Sequence, residues 1–359
     1  MKGESQVVDQ HAMEPLQRSE WGQAELGRRS LLSMGGLMAL GACAPRSIGV
    51  ASTAGRFDWI LRPAADAGMT EAGIKGIRAA VQQQIDAGAI NGAVSAIARQ
   101  GKLVWYDALG YSDPIDKTPM RKDAIFRVMS SSKPVTALAV LTLVDEGKLS
   151  LDDKVSKYIP SFANPRVAAA PPGNTDPAKV KIVPAERELV VRDLLTHTSG
   201  ITSVGDAMSP GPASLINKIE RRPDDTLETY IPRIGSAVLQ FQPGSKFSYS
   251  PLDALDTALY IVQLVSGRRA DVYMHERIFA PLEMGDTYYN VPAAKASRIV
   301  DIWGVKGGKW EKEPHLLASM SPRYFSGGGG IYSTVHDFMN FELMLLNRGT
   351  FNGRPILRP

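Results

Sequence analysis

A single cysteine, Cys43, stands in this chain, so no disulfide can close within it and no second thiol is available for redox or metal chemistry. Histidine is nearly as scarce. The five histidines are scattered, and His275-Glu276 has no zinc-spaced partner, which argues against a metal centre. Gly-x-Ser-x-Gly is absent, which excludes the nucleophile elbow of an α/β-hydrolase. No Lys-Ser/Thr follows the Gly327–Gly330 run, so it is not read as a phosphate loop; it reads as close backbone approach near a cleft floor. Neither sign of charge dominates: 41 Lys and Arg face 37 Asp and Glu, a net +4. The basic residues form no stripe and interleave with no aromatic ladder, so nucleic acid is not an expected partner. There is no internal repeat, no coiled coil, and no apolar run suited to a permanent transmembrane helix. What remains fits a soluble globular enzyme, long enough to bury a large core and with no cofactor requirement.

The N-terminus carries an address. Arg28-Arg29-Ser30-Leu31-Leu32 precedes an apolar, Gly/Ala-rich run to Leu40, which resembles a twin-arginine export signal. Leu40-Gly41-Ala42-Cys43 resembles a lipobox, in which Cys43 would be acylated after cleavage. The residues before Arg28 read as a long polar region, and Met13 is an alternative start. The expected organisation is an export signal with lipobox over 1–43, a linker over 44–70 and a hydrolase domain over 71–359. The expected location is the periplasm, or the membrane surface through lipid on Cys43.

Chemistry enters at Met129-Ser130-Ser131-Ser132-Lys133-Pro134, which holds the only Ser-x-x-Lys of the chain. About one such spacing arises by chance at this composition, so its context decides. Pro134 is tolerated only in the first turn of a helix, and Val135 to Val144 is apolar nearly all round, ending at Gly147. Ser130 is therefore expected at or just before the N-terminus of a buried helix. There the macrodipole favours a developing anion and disfavours a protonated lysine, both of which suit an activated Ser–Lys pair. A plain serine N-cap beside a solvated lysine is the competing reading. Further on, Gln242 to Pro251 is turn-rich and leads into a helical pattern from Leu252 to Val265, closed by Gly267. Tyr249 at that junction can project into a cleft and relay a proton, or can simply pack on the core. His197 near Ser199 reads as a helix-ending turn closed by Gly200, not as a Ser–His pair.

Several blocks, taken in order, resemble the serine β-lactamase and penicillin-binding-protein superfamily, and most closely its family VIII carboxylesterases, relatives of class C β-lactamases. They are Ala89-Ile90-Asn91-Gly92-Ala93-Val94, Phe126-Arg127-Val128, Gly147 to Asp153, Val191 to Gly200 and Ser326 to Thr334, besides the Ser-x-x-Lys. The resemblance runs from about Ala72 to the last residue. It implies an α/β, two-lobed fold: an antiparallel sheet flanked by helices, plus an all-helical lobe over Ser150 to about Ile278, with Ser130 on the cleft floor. It implies Ser130 as the acyl-accepting nucleophile, Lys133 as base or electrostatic partner, and Tyr249 as proton shuttle to the leaving group. Which of Lys133 and Tyr249 is the base stays open. The Ser130 N–H would supply half of an oxyanion hole. The implied substrates are small acyl esters, with a β-lactam or D-amino-acid peptide as the alternative and a catalytically inactive envelope lipoprotein as a third reading.

Two departures matter. The superfamily's Tyr-x-Asn reads Tyr249-Ser250-Pro251 here, which removes an amide that β-lactamases use and favours esters over β-lactams. The superfamily's third motif, Lys-Thr-Gly or a His/Trp-Gly variant, follows the Gly-rich block; here only Val335 to Pro359 follow it, without such a motif. Lys306-Gly307-Gly308 lies upstream and reads as a hairpin turn between Trp303 and Trp310. On that resemblance the sequence is expected to be a truncated or frameshifted member lacking its last strands, unstable or inactive by itself, with the hairpin around Gly101 short of a sheet neighbour. Two stretches, Ala168 to Pro184 and Val204 to Pro223, are expected as loops at the cleft rim.

Overall fold

The computed structural model describes residues 56–202, 211–314 and 321–359. The export signal, the lipobox and Cys43 lie outside the described residues. Helix α1, Glu71–Asp86, is capped by Thr70, whose side chain accepts from Gly73 N. Strands β1, Gly92–Arg99, and β2, Lys102–Asp113, form the hairpin expected around Gly101, which turns with φ of 73°. Strand β3, Thr118–Pro119, pairs antiparallel with β2, giving the order β1-β2-β3. The register shifts between Ile97 and Ala98. That bulge lets Val104 and Trp105 both turn toward α1 and the Ala64–Ala67 turn, while Leu103 and Tyr106 face the main core. The sheet is thus covered on both faces. Among the described residues, no strand pairs with the outer edge of β1.

The segment before α1 is not a free linker. Arg62 N donates to Leu103 O at 2.8 Å, Ala64 and Ala67 are buried, and Phe57 and Trp59 pack on the main core. The sequence reading places a linker over 44–70; the aromatic and alanine residues of 56–70 instead bury against β2 and the main core. Among the described residues, the domain therefore reaches back to Arg56.

Strand β4, Phe126–Arg127, leads into a 3-10 turn, Met129–Ser131, and then helix α2, Ser132–Asp145. Pro134 sits in its first turn, and Gly147 leaves it with φ of 69°, as the sequence predicts. The helical side of the molecule contains α3, Val191–Leu195, α4, Pro212–Ile216, α5, Leu227–Gly235, α6, Asp253–Ser266, and α7, Ala270–Met274. Helix α6 packs against α2, and Leu138, Leu143, Tyr230, Ile231, Leu255 and Leu259 join one core.

This side is not all helix. Strands β5, Arg166–Ala169, and β6, Lys181–Pro184, pair antiparallel and take up both ends of the Ala168–Pro184 stretch expected as loop. The reason is non-local. Leu239 bonds both Arg166 O and Ala168 N from far along the chain, and Val167 and Ala168 are buried there. Of the second rim stretch, residues 203–210 lie outside the described residues and Pro212–Ile216 is α4. Strands β7, Trp303–Lys306, and β8, Lys309–Lys312, form the expected hairpin, with Gly307 and Gly308 at φ of 56° and 76°. Strand β9, Tyr332–Ser333, pairs with β4 and precedes helix α8, Val335–Leu346, whose Met339 and Leu343 join the core. A last short hairpin joins β10, Thr350–Phe351, to β11, Arg354–Pro355. Among the described residues, no helix is long and apolar enough to cross a membrane.

Candidate active site

The turn that presents Ser130 is held from both sides. Strand β4 pairs with β9, and Val128 N donates to Ile331 O at 3.0 Å. Met129 then adopts a φ of 47°, a left-handed conformation that costs a non-glycine residue about 1–2 kcal/mol. Such strain marks a backbone over-determined by its surroundings. It lifts Ser130 onto the surface at the N-terminus of α2.

Lys133, the second residue of α2 and one turn on from Ser130, is buried, 8% exposed. Its Nζ donates to Ser130 Oγ at 3.1 Å and to the Gly328 carbonyl at 2.7 Å. Tyr249 comes from the opposite wall, its hydroxyl 2.7 Å from Ser130 Oγ. Nζ of Lys133 lies 5.1 Å from the centre of the Tyr249 ring, within cation–π range. The structure therefore brings all three sequence-predicted residues onto one oxygen atom. The competing reading of Ser130 as a plain N-cap finds no support: the residue at the cap position is Ser131, which makes no side-chain capping bond.

Tyr249 is aimed by a turn whose role the sequence did not reveal. Helix α3 ends at Leu195; His197 and Gly200 follow with φ of 57° and 76°, the helix-ending turn expected. Buried Asp193 fixes it, accepting two bonds from Arg187 at 2.7 and 2.9 Å, one from Val190 N and one from Thr198 Oγ1. The Gln240–Ser248 segment is laced onto this turn: Gln240 N donates to Gly200 O, Gly244 N to Thr198 O and Ser248 N to His197 O. His197 Nδ1 accepts Ser250 N–H at 3.1 Å, and its ring lies 4.8 Å from that of Tyr249. Burial, and then the charge of Lys133, hold the His197 imidazole below its ordinary pKa, so it stays neutral and keeps that acceptor. Ser199 Oγ instead accepts Ile201 N–H, so no Ser–His pair forms.

The third wall is the Gly-rich loop. A Cβ on Gly327 would lie 2.5 Å from Leu255 O, and one on Gly328 would lie 2.7 Å from Leu252 Cα. The expectation of close backbone approach is met here, where the loop lies on the start of α6. Four side chains grip it. Asp256 accepts from Gly328 N at 2.9 Å and Ser326 Oγ at 2.8 Å, Thr136 donates to Gly327 O at 2.9 Å, Arg127 donates to Gly329 O at 3.1 Å, and Ser132 accepts from Ile331 N at 3.2 Å. Sequence reasoning named the loop but not Asp256 or Thr136, and it quoted Arg127 only within a block of the resemblance, with no role. The signal available was a buried-type polar residue on an otherwise apolar helix face. Among the described residues, no group of three or more His, Cys, Asp or Glu is arranged to hold a metal ion.

This arrangement offers a nucleophile with two proton carriers on a helix N-terminus, the elements of acyl transfer. Comparison with known proteins points the same way. The Beta-lactamase family model matches residues 77–359. Protein Rv1367c of Mycobacterium tuberculosis is 32% identical over 295 residues, covering 80% of this chain and 70% of that protein. Esterase EstB of Burkholderia gladioli is 34% identical over 201 residues, covering 54% of this chain but only 46% of EstB, so this chain spans about half of that relative. Among solved structures, EstCE1, a hydrolase with promiscuous acyltransferase activity, superposes with a TM-score of 0.65 at 26% identity, over 80% of this chain and 74% of that one. With a family model over most of its length and an α/β fold shared with such hydrolases, this chain belongs to the Beta-lactamase family.

Proposed function

We propose that this protein is a serine hydrolase that cleaves small acyl esters through an acyl-enzyme on Ser130. The observation that carries the proposal is the convergence on Ser130 Oγ of Lys133 Nζ at 3.1 Å and Tyr249 OH at 2.7 Å. Ser130 Oγ attacks the ester carbonyl carbon and its proton passes to Lys133 or Tyr249. The oxyanion forms at the N-terminus of α2, where the Ser130 N–H and the helix dipole favour negative charge. Collapse breaks the acyl–oxygen bond, and the departing alkoxide takes a proton from Tyr249, which regains it from Lys133 where Lys133 was the first acceptor. Water then attacks the acyl-enzyme along the same route and releases the carboxylic acid.

Esters rank above β-lactams because Pro251 stands where β-lactamases carry an asparagine amide. Export, with lipid on Cys43, belongs to this proposal and rests on the leader sequence alone.

The test uses the full chain. A fluorophosphonate should label Ser130, p-nitrophenyl butyrate should be turned over, and Ser130→Ala should abolish both. Tyr249→Phe should lower kcat by about a hundredfold while leaving folding intact, since only a hydroxyl is lost. Nitrocefin should give a lower kcat/KM than the ester. Label on Ser131 or Ser132 would reassign the nucleophile, and full activity in Ser130→Ala would overturn the proposal.

A further inference from the structure

Lys133 has an N–H to give whether or not it is protonated. With one N–H committed to the Gly328 carbonyl at 2.7 Å, the rest of the nitrogen is turned toward Ser130 Oγ. The placement of that carbonyl therefore sets the aim of the lysine. A glycine hinge cannot set it alone, because Gly328 has no side chain to restrict its backbone.

The peptide just before the hinge is clamped at both ends. Its N–H, from Gly328, goes to Asp256 Oδ1 at 2.9 Å, and its carbonyl, from Gly327, receives Thr136 Oγ1 at 2.9 Å. Asp256 is fully buried. The same Oδ1 takes Ser326 Oγ–H at 2.8 Å, while Oδ2 takes Tyr324 OH at 2.8 Å and Arg221 at 3.1 Å. Arg221 is itself sandwiched between the Tyr230 and Tyr324 rings, at 4.5 and 4.6 Å. A carboxylate with this many donors is fixed in direction, and it transmits that direction to the loop.

We propose that Asp256 is a positioning residue for the Ser130 reaction: through the Gly327–Gly328 peptide it holds the carbonyl that aims Lys133 at Ser130 Oγ. This inference rests on the serine-hydrolase reading above. It adds to it a residue on α6 that acts through backbone.

The test compares Asp256→Asn, Thr136→Val and Asp253→Asn in the full chain. It follows p-nitrophenyl butyrate kinetics and the rate of fluorophosphonate labelling at Ser130. Asp253 is the control, because it is equally buried and also pairs with Arg221, at 2.5 Å, whereas the Gly327–Gly328 peptide is held by Asp256 and Thr136. Asp256→Asn should lower kcat and labelling rate together by about a hundredfold with KM within about twofold, the signature of a misplaced group rather than lost binding. Thr136→Val should move both the same way by about tenfold, and it carries the test if Asp256→Asn does not fold. Asp253→Asn should keep the wild-type kcat. The proposal falls if the folded variants label at the wild-type rate, or if Asp253→Asn loses as much kcat as Asp256→Asn. Wild-type protein that takes no label at Ser130 would overturn the hydrolase reading itself, and this inference with it.

Discussion

His197 accepts Ser250 N–H and packs on the Tyr249 ring, so what it does for the site depends on its protonation state. A protonated ring would lose its acceptor for Ser250 N–H and set a second cation near Lys133. Burial and the Lys133 charge both oppose this, which places the titration of His197 below the ordinary 6.5. Because the unfolded chain takes up that proton first, the residue costs stability as pH falls below 6.5. An NMR titration of the His197 ring should give a midpoint under 6.5 in the folded protein. Lys133→Met removes one of the two causes and should move the midpoint upward; a midpoint that stays put would show that burial acts alone.

At the scale of elements, the contact between the Gly-rich loop and the start of α6 governs how the site is assembled. Both atoms nearest a Cβ on Gly328 belong to backbone, Leu252 Cα at 2.7 Å and Pro251 O at 2.9 Å, so nothing can swing aside. Gly328→Ala should therefore cost about 1–3 kcal/mol of stability in a denaturant melt, as overpacking does, and it should slow labelling of Ser130 by shifting the carbonyl that Lys133 uses. Gly285→Ala is the contrast. A Cβ there meets nothing within 4 Å and its φ is not positive, so its effect should stay within about 0.5 kcal/mol. Equal losses for the two variants would mean that close approach is not what the loop requires. The β1 edge is a second element-scale feature, since its partner-free side presents backbone donors and acceptors among the described residues.

For the molecule as a whole, the buried Arg221–Asp253–Asp256 cluster places two carboxylates against one guanidinium. Burial, reinforced by Asp256 and opposed by Arg221, pushes Asp253 up to about 6 from an ordinary 3.8. The folded state then binds a proton that the unfolded state has already released, so stability from this group falls as pH rises from about 4 through about 6. Other carboxylates work in the opposite sense. Asp193 and Asp286 are held low by their arginine partners, although burial pulls Asp193 upward as its largest single influence, and their stabilisation is lost as pH drops below their ordinary range. Thermal melts from pH 4 to 8 should show the wild-type Tm declining from about pH 4 to about pH 6 and levelling off above. Asp253→Asn, which mimics the protonated acid, should flatten that decline; an unchanged slope would mean that Asp253 stays ionised in the fold.

The sequence by itself determined the helix that bears Ser130 and Lys133, because Pro134, an apolar run and Gly147 act within one turn or two of the backbone. It determined the Gly307-Gly308 hairpin and the α6 stop at Gly267 for the same local reason. It also named Ser130, Lys133 and Tyr249, since their motifs and order are carried in the chain itself. Only the tertiary structure decided that Ser130 and Tyr249, 119 residues apart, meet at one oxygen. Pairing across such distances depends on where the walls pack, not on neighbours in sequence. The same holds for β5, which Leu239 reaches on one side and β6 on the other, and for residues 56–70, which fold in because β2 offers a face to bury against. Asp256 was silent because the contact that gives it a role is to the backbone N–H of Gly328, 72 residues away, and backbone has no signature in a sequence.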